Sequence, residues 1–423
     1  MVEKFNDRPR PRHRQPQDAA ESATKRPTGN RPRSKEQVPM DIYPISTDDH
    51  AWEKPDTFTS RVASNLREDC PHLEVQDGEH WWVYAGRRVR KVGTGAAAMM
   101  PDRGAIKFFE EAPPAVYDAR ARLETMDADG VAAEVLFPQA AGFGGGPFVS
   151  TEGSIELRLA CIRAYNDYLA EEWAGVSPRF VAQCLLPMWD VSEAVIEVHR
   201  ASALGHRAVV WTAAPQVYGF PHFNDGYWDP LWATLQELKM PVALHIGSAK
   251  ATQELWSGYS FFSRLAMVSV TAITSNLQVV TNLLFSGILE RFPELMFLSV
   301  ESGLGWVPYL LETADHQYEQ QHLWDSGMSM RPSEYFHRQV CVNFWFEHSG
   351  IEMRHMIGID NIMWEADFPH PTSTYPHSRK AIETSLAGVP AEEQKRMLQT
   401  NAQRVFGIDI DPASLPESTC YRI

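Results

Sequence analysis

The sequence has few cysteines and no long apolar run. Its five cysteines are scattered among 423 residues, without the paired spacing of a disulfide framework or a zinc finger. No apolar stretch approaches the roughly 20 residues that a membrane helix needs, and no apolar core follows the basic N-terminus as it would in a secretory signal. We therefore expect a soluble, cytoplasmic protein with no membrane partner.

The sequence also has fewer basic than acidic residues. The formal net charge is −15, which disfavours binding to nucleic acid. The exception is residues 1–39, which are basic, rich in Arg and Pro and almost without large apolar side chains. Such a segment buries too little apolar surface to offset the entropy of ordering it. We predict a disordered leader over residues 1–39.

From Asp41 onward, short apolar runs alternate with longer segments of helical pattern, which is typical of a parallel sheet with crossover helices. Eight strands are predicted: Ile42–Thr47, Ala132–Pro138, Phe180–Pro187, Ala208–Trp211, Val242–Ile246, Leu295–Val300, Val340–Phe344 and Ile362–Ala366. The predicted helices are Ser154–Trp173, Val191–Ala203, Asp229–Lys239, Ala266–Phe292 and Ile351–Ile357. This pattern predicts an α/β protein with a distorted (β/α)8 TIM barrel over residues 40–408 and a C-terminal tail over 409–423. An insertion follows the first strand, at about residues 54–125, and its segment GEHWWVYAGRRVRKVG predicts a β-hairpin.

Polar residues occur where several predicted strands end, which is where TIM barrels carry their catalytic groups. Asp48 and His50 lie two residues apart in the first of these places, so their side chains point to the same side of an extended chain. His245 ends the fifth strand. Each motif taken alone also fits a hydrogen-bonded turn or a structural histidine.

Two further strand ends carry acidic residues. Glu301 follows the sixth strand directly, and because an unpaired buried carboxylate is costly, it should pair with a cation, a metal or a substrate group. Glu365, Asp367 and His370 lie at the end of the eighth strand. Two histidines and one or two carboxylates predict one catalytic divalent metal ion, with zinc expected first and manganese or cobalt as alternatives.

Several blocks resemble the amidohydrolase-related (amidohydrolase 2) branch of the amidohydrolase superfamily. The blocks that carry the resemblance are TDDHAWEKPDTF, ALHIGS, ESGLGWVPYLLETADHQYE, RPSEYFHRQVCVNFWFE and IGIDNIMWEADFPHPTSTYP. The resemblance implies a mononuclear metal site in which Asp48, His50, His245 and Asp367 are the ligands. Many relatives carry a catalytic histidine after the sixth strand, but this chain has Glu301 and Ser302 there, with His316, His322 or His370 as candidate substitutes.

Three functions follow from these residues. The first expectation is a hydrolase of an amide, amidine or related bond, in which Asp367 is the general base and Glu301 and His370 take part in catalysis. Its substrate would be a small molecule or a peptide, as in the relatives that cleave the follower peptide of bottromycin-type natural products. The alternatives are a non-oxidative decarboxylase of an aromatic or unsaturated acid and an inactive binding protein.

Two further expectations concern surfaces. Trp52, Trp81, Trp82, Phe143, Trp256 and Trp345 either line an aromatic substrate pocket or belong to the core. The stretch Arg264–Phe292 is too apolar around its circumference for a solvent-facing barrel helix, so we expect a homodimer to cover it, with cover by the chain's own insertion as the alternative.

Overall fold

The computed structural model describes residues 40–93, 99, 106–149, 153–212, 214–247 and 261–423. The strands in this part of the chain are β1 Asp41–Ile42, β2 Ile45–Ala51, β3 His72–Gln76, β4 Glu79–Tyr84, β5 Arg87–Lys91, β6 Ala133–Pro138, β7 Phe180–Cys184, β8 Ala208–Trp211, β9 Val242–His245, β10 Phe297–Val300, β11 Val340–Phe344, β12 Ile362–Trp364 and β13 Tyr421–Arg422. The predicted leader, residues 1–39, lies outside the described residues.

Eight of these strands form one parallel sheet in the order β12-β11-β10-β9-β8-β7-β6-β2. Each corresponds to one of the eight predicted strands, and every residue in them is buried, as expected for a sheet covered on both faces. A parallel bridge between Asp49 and Phe368 joins the first and last strands. The predicted (β/α)8 barrel is confirmed.

The hydrogen bonds that close the barrel lie at the carboxyl end of its strands, where the predicted metal ligands are. The backbone N–H of His50 donates to the carbonyl of Phe368 at 2.7 Å, and the N–H of Asp367 donates to the carbonyl of Asp48 at 2.8 Å. Three predicted metal ligands therefore belong to the seam where the first and eighth strands meet.

The α-helices in the described residues pack around the sheet or cap its ends. They are α1 Ala119–Asp129, α2 Gly146–Val149, α3 Ile155–Leu169, α4 Val191–Ala203, α5 Asp229–Glu237, α6 Phe261–Thr271, α7 Ile273–Phe285, α8 Ile288–Arg291, α9 Val307–Gln320, α10 Pro332–Gln339, α11 Ser349–Glu352, α12 Arg354–Ile357, α13 Ser378–Ser385, α14 Ala391–Lys395 and α15 Asn401–Phe406. The predicted helix Ala266–Phe292 is divided into α6, α7 and α8, where Gly287 at φ 74° precedes the last of them. None of the described helices combines the length and apolar character needed to cross a membrane.

The insertion contains a three-stranded antiparallel sheet in the order β3-β4-β5. The predicted hairpin is the pair β4 and β5. Strand β3 was missed, although Asp77 and Gly78, at φ 56° and 79°, form the Asp-Gly turn that commonly joins two antiparallel strands.

The described chain begins and ends in one small sheet. Asp41 and Ile42 of β1 pair antiparallel with Arg422 and Tyr421 of β13. The predicted first strand, Ile42–Thr47, is therefore two strands, of which only Ile45–Ala51 belongs to the barrel.

Candidate metal centre

Strands β2, β9, β10 and β12 direct polar side chains to one point at the carboxyl end of the barrel. Asp48 and His50 lie on β2, His245 ends β9, and Asp367 follows β12. All four residues are fully buried. The alternation of β2 places Asp48 and His50 on the same side of the strand, as the sequence predicts.

The distances between these side chains suit shared binding of one cation. The Oδ2 atom of Asp48 lies 3.3 Å from Nε2 of His245, and Oδ1 of Asp48 lies 3.6 Å from Nε2 of His50. The same Nε2 of His50 lies 3.4 Å from Oδ1 of Asp367. Among the described residues, one atom each of Asp48, His50 and His245 lies within 4.8 Å of the others, and so does one atom each of Asp48, Asp367 and Glu301.

The hydrogen bonding of Asp48 and His50 fits a metal site. Neither carboxylate oxygen of Asp48 and neither ring nitrogen of His50 has a hydrogen-bond partner among the described residues. Burying such groups without partners costs several kcal/mol. Burial also lowers the pKa of His50 well below its ordinary value and lowers that of His245, which keeps both imidazoles neutral and available as ligands. The donor set therefore fits a divalent metal ion.

Asp367 is held in place by two neighbouring side chains. Its Oδ1 lies 2.6 Å from Nδ1 of His370, and its Oδ2 accepts a 2.5 Å hydrogen bond from the Thr372 hydroxyl. Burial alone would raise the pKa of Asp367, but the contacts with His370 and His50 outweigh it and lower that pKa. The backbone at Asp367 has φ 59°, in the left-handed region that residues other than glycine adopt infrequently.

Glu301 occupies the edge of the same cluster. Its Oε2 lies 3.6 Å from Nε2 of His245, and its backbone N–H donates to Oε2 of Glu365 at 3.3 Å. Burial, and next the charge of Asp367, raise the pKa of Glu301 well above its ordinary value. Burial and the charges of Asp48 and Asp367 do the same to Glu365. The predicted pairing of Glu301 with a cation or metal is consistent with its place beside His245, and its φ of 54° gives it the second left-handed backbone of the centre.

A buried arginine that was not predicted from the sequence donates a hydrogen bond to strand β2. Arg122 donates from Nη2 to the carbonyl of His50 at 2.6 Å and from Nη1 to the Glu134 carboxylate at 2.7 Å. Its Nε donates to the carbonyl of Ala115 at 2.6 Å. The sequence did offer a signal for this residue, since Arg122 occupies a position of α1 that faces the core. A buried guanidinium needs several acceptors, so such an arginine indicates a network of hydrogen bonds.

The other histidines and aromatic residues predicted for the site lie in different parts of the structure. His370 joins the centre, whereas His316 and His322 are exposed elsewhere. Trp52 and Trp82 belong to the core, and Trp256 lies outside the described residues. Trp81 and Trp345 are partly exposed. Among the described members of the aromatic set, Phe143 alone stacks on a predicted ligand, His245, with ring centroids 3.7 Å apart.

The family assignment follows from comparison with known sequences. The sequence profile of the Amidohydrolase family matches residues 69–408. The chain belongs to this family, which confirms the resemblance, and the membership supports an enzyme. The matched span begins after Asp48 and His50, so the assignment of these two ligands depends on the geometry described above.

Individual relatives indicate both the fold and a reaction type. A gamma-resorcylate decarboxylase from Rhizobium sp. (strain MTP-10005) is 26% identical over 306 residues, which cover 68% of this chain and 86% of the relative. The crystal structure of amidohydrolase map2389c from Mycobacterium avium subsp. paratuberculosis K-10 has a TM-score of 0.71 at 20% identity and covers 87% of this chain and 100% of that chain. A dihydroxybenzoic acid decarboxylase from Polaromonas sp. JS666, solved with manganese and the inhibitor 2-nitroresorcinol, has a TM-score of 0.54 at 18% identity and covers 86% of this chain and 97% of that chain.

The first functional expectation, a hydrolase, is wrong. The gamma-resorcylate decarboxylase matches over most of its own length, which favours the alternative, decarboxylation, over amide or peptide hydrolysis. The insertion and the absence of a histidine after the sixth strand favour hydrolysis only slightly and do not outweigh this resemblance.

Proposed function

We propose that this protein is a metal-dependent, non-oxidative decarboxylase of an aromatic carboxylic acid with a hydroxyl group next to the carboxylate. The observation that carries the proposal is the convergence of buried donors in overlapping groups of three at the mouth of the barrel, in a chain that resembles a gamma-resorcylate decarboxylase over 86% of that relative. Asp48, His50, His245 and Asp367 would hold one divalent ion.

When bound, the ion would withdraw electron density from the substrate carboxylate and the adjacent hydroxyl group. The reaction breaks the bond between the ring carbon and the carboxylate and forms a C–H bond, so the site must supply one proton as carbon dioxide leaves. Asp367 and His370 form the proposed proton path, because their 2.6 Å contact links the buried carboxylate to an imidazole that is 15% exposed. General acid–base groups must lie within such hydrogen-bond reach.

Glu301 replaces the histidine that many relatives carry after the sixth strand. Burial and its acidic neighbours favour its protonated form, so it can donate a hydrogen bond to an anionic substrate group. We propose this as the role of Glu301, beside the proton path through Asp367 and His370.

The test uses purified protein loaded with either Mn²⁺ or Zn²⁺, because the relative from Polaromonas holds manganese whereas the donor set led us to expect zinc. Metal analysis should give about one ion per chain, and 2,6-dihydroxybenzoate and related hydroxybenzoates should release carbon dioxide. A chelator should abolish this release, and the His245→Ala variant should neither retain metal nor turn over. Stoichiometric metal without carbon dioxide from any hydroxybenzoate would contradict the proposal.

The homodimer also remains a proposal. Val270 on α6 is 75% exposed and lies in the apolar stretch that suggested an interface. Light scattering at micromolar concentration should give twice the chain mass, and a monomeric mass would exclude a stable dimer.

A further inference from the structure

A short glycine-rich loop links β6 to α2 at the mouth of the barrel. It contains Gly142, Phe143, Gly144, Gly145 and Gly146. Three of the glycines have a positive φ, of 68°, 63° and 70° for Gly142, Gly144 and Gly145. A Cβ atom at Gly144 would lie 2.8 Å from the backbone nitrogen of Thr212, so no other residue fits there without movement. The loop therefore carries a single large side chain, that of Phe143.

The start of this loop is fixed by a buried carboxylate. The backbone N–H groups of Ala140 and Ala141 donate to the two oxygens of Glu53 at 2.7 and 3.0 Å. From the insertion, Arg90 donates to the carbonyl of Gln139 at 2.5 Å. These hydrogen bonds fix the position of the backbone that precedes Phe143.

Phe143 lies against the metal centre. Its ring stacks on the imidazole of His245 with centroids 3.7 Å apart and an angle of 14° between the planes. The ring of His50 lies 5.8 Å away in an edge-to-face arrangement. Phe137 contacts the same two histidines but is fully buried, whereas Phe143 is only partly buried. Of the two phenylalanines beside these histidines, Phe143 is therefore the one that is partly accessible.

We propose that Phe143 is a specificity-determining residue whose ring forms an aromatic wall for a planar aryl substrate beside the metal centre. This inference rests on the decarboxylase function proposed above. Aromatic rings gain stabilisation from offset or edge-to-face contact beyond their burial, which corresponds to roughly a tenfold change in affinity at most. A saturated or bulky aliphatic acid gains nothing comparable from the wall.

The test compares Phe143→Leu with Phe143→Tyr in metal-loaded protein. Phe143→Leu should raise the KM for a hydroxybenzoate and the Kd for 2-nitroresorcinol about tenfold, while metal stoichiometry stays unchanged. Phe143→Tyr should retain both constants within a factor of about three, because it keeps the aromatic face. Phe148→Leu is the matched control in the same segment: this fully buried side chain packs against Phe58 and Tyr84, so its loss should lower the melting temperature but leave KM unchanged.

Three results separate the possible failures. If the wild type is active and Phe143→Leu keeps both constants, the aromatic wall is wrong and the decarboxylase function stands. If Phe143→Leu loses metal while its metal-loaded fraction binds 2-nitroresorcinol normally, Phe143 only supports His245 and the proposal is overturned. If the wild type neither releases carbon dioxide nor binds 2-nitroresorcinol, both proposals are contradicted.

Discussion

Two groups of side chains around buried carboxylates lie in different layers of this barrel, and the partners of their carboxylates differ. In the outer layer, Glu197 on α4 is fully buried, and both of its oxygens accept hydrogen bonds. Oε1 accepts from Asn166 and from Arg200, each at 2.7 Å, while Oε2 accepts from Arg200 at 2.9 Å and from Arg163 at 3.2 Å. This carboxylate has the partners that a buried charge needs.

At the mouth of the barrel, four carboxylates are crowded together with imidazoles as their nearest basic groups. They are Asp48, Glu301, Glu365 and Asp367. Among the described residues, neither oxygen of Asp48 accepts a hydrogen bond. Burial, and next the charge of Asp367, raise the pKa of Asp48 well above its ordinary value. The outer group is organised for stability, whereas the mouth group is organised for a cation that arrives from outside the fold.

The largest expected effect comes from Asp367→Asn. The amide can still offer an oxygen ligand but can neither accept nor return a proton near neutral pH. We expect the turnover number to fall by about 10²- to 10⁴-fold, while the melting temperature of the metal-free protein changes little, because the amide keeps the volume of the side chain and one oxygen acceptor for its neighbours. Steady-state kinetics and thermal unfolding measure the two effects. Retention of a substantial rate would show that another residue moves the proton.

The next effect is on stability and should come from the outer group. Glu197→Ala leaves Arg163, Arg200 and Asn166 without their shared acceptor, so we expect a loss of roughly 3 kcal/mol in the free energy of unfolding with little change in turnover. Glu193 is the matched control on the same helix, since it is partly exposed and lies 3.7 Å from Arg163. Glu193→Ala should cost less than about 1 kcal/mol in denaturant unfolding. Equal losses for the two variants would remove the contrast between buried and exposed acids.

Much of the barrel follows from sequence because its local signals agree. The eight apolar runs predict buried strands of one parallel sheet, and the ends of three of these strands carry Asp48, His50, His245 and Asp367, which the barrel brings together. The boundary of the first strand was wrong because Ile42 pairs with Tyr421 at the other end of the described chain, a partner that no local pattern reveals.

The residues that hold the ligands in place could not be predicted either, because no local sequence pattern reveals their partners. The contact between Arg122 and the carbonyl of His50 spans 72 residues. The Thr372 hydroxyl reaches Asp367 through a turn whose shape depends on the closed barrel. The reaction type was also beyond reach, since the choice between attack by water and loss of carbon dioxide depends on the substrate, and the ligand residues do not encode the substrate.

The smallest expected effect comes from deleting residues 1–36. This segment is net basic, and the mouth group is acidic, so its arginines are an alternative source of the cation that the mouth group requires. We favour a metal ion, because two imidazoles are arranged beside Asp48 as ligands, and imidazoles do not pair with guanidinium. Surface pairing with the leader would also be screened by salt beyond about 8–10 Å.

The truncated protein should therefore keep its melting temperature, its metal content and its turnover, measured beside the full chain in low and high salt. A loss of several degrees in melting temperature, larger at low salt and partly restored by added metal, would show that leader arginines and metal compete for the same carboxylates.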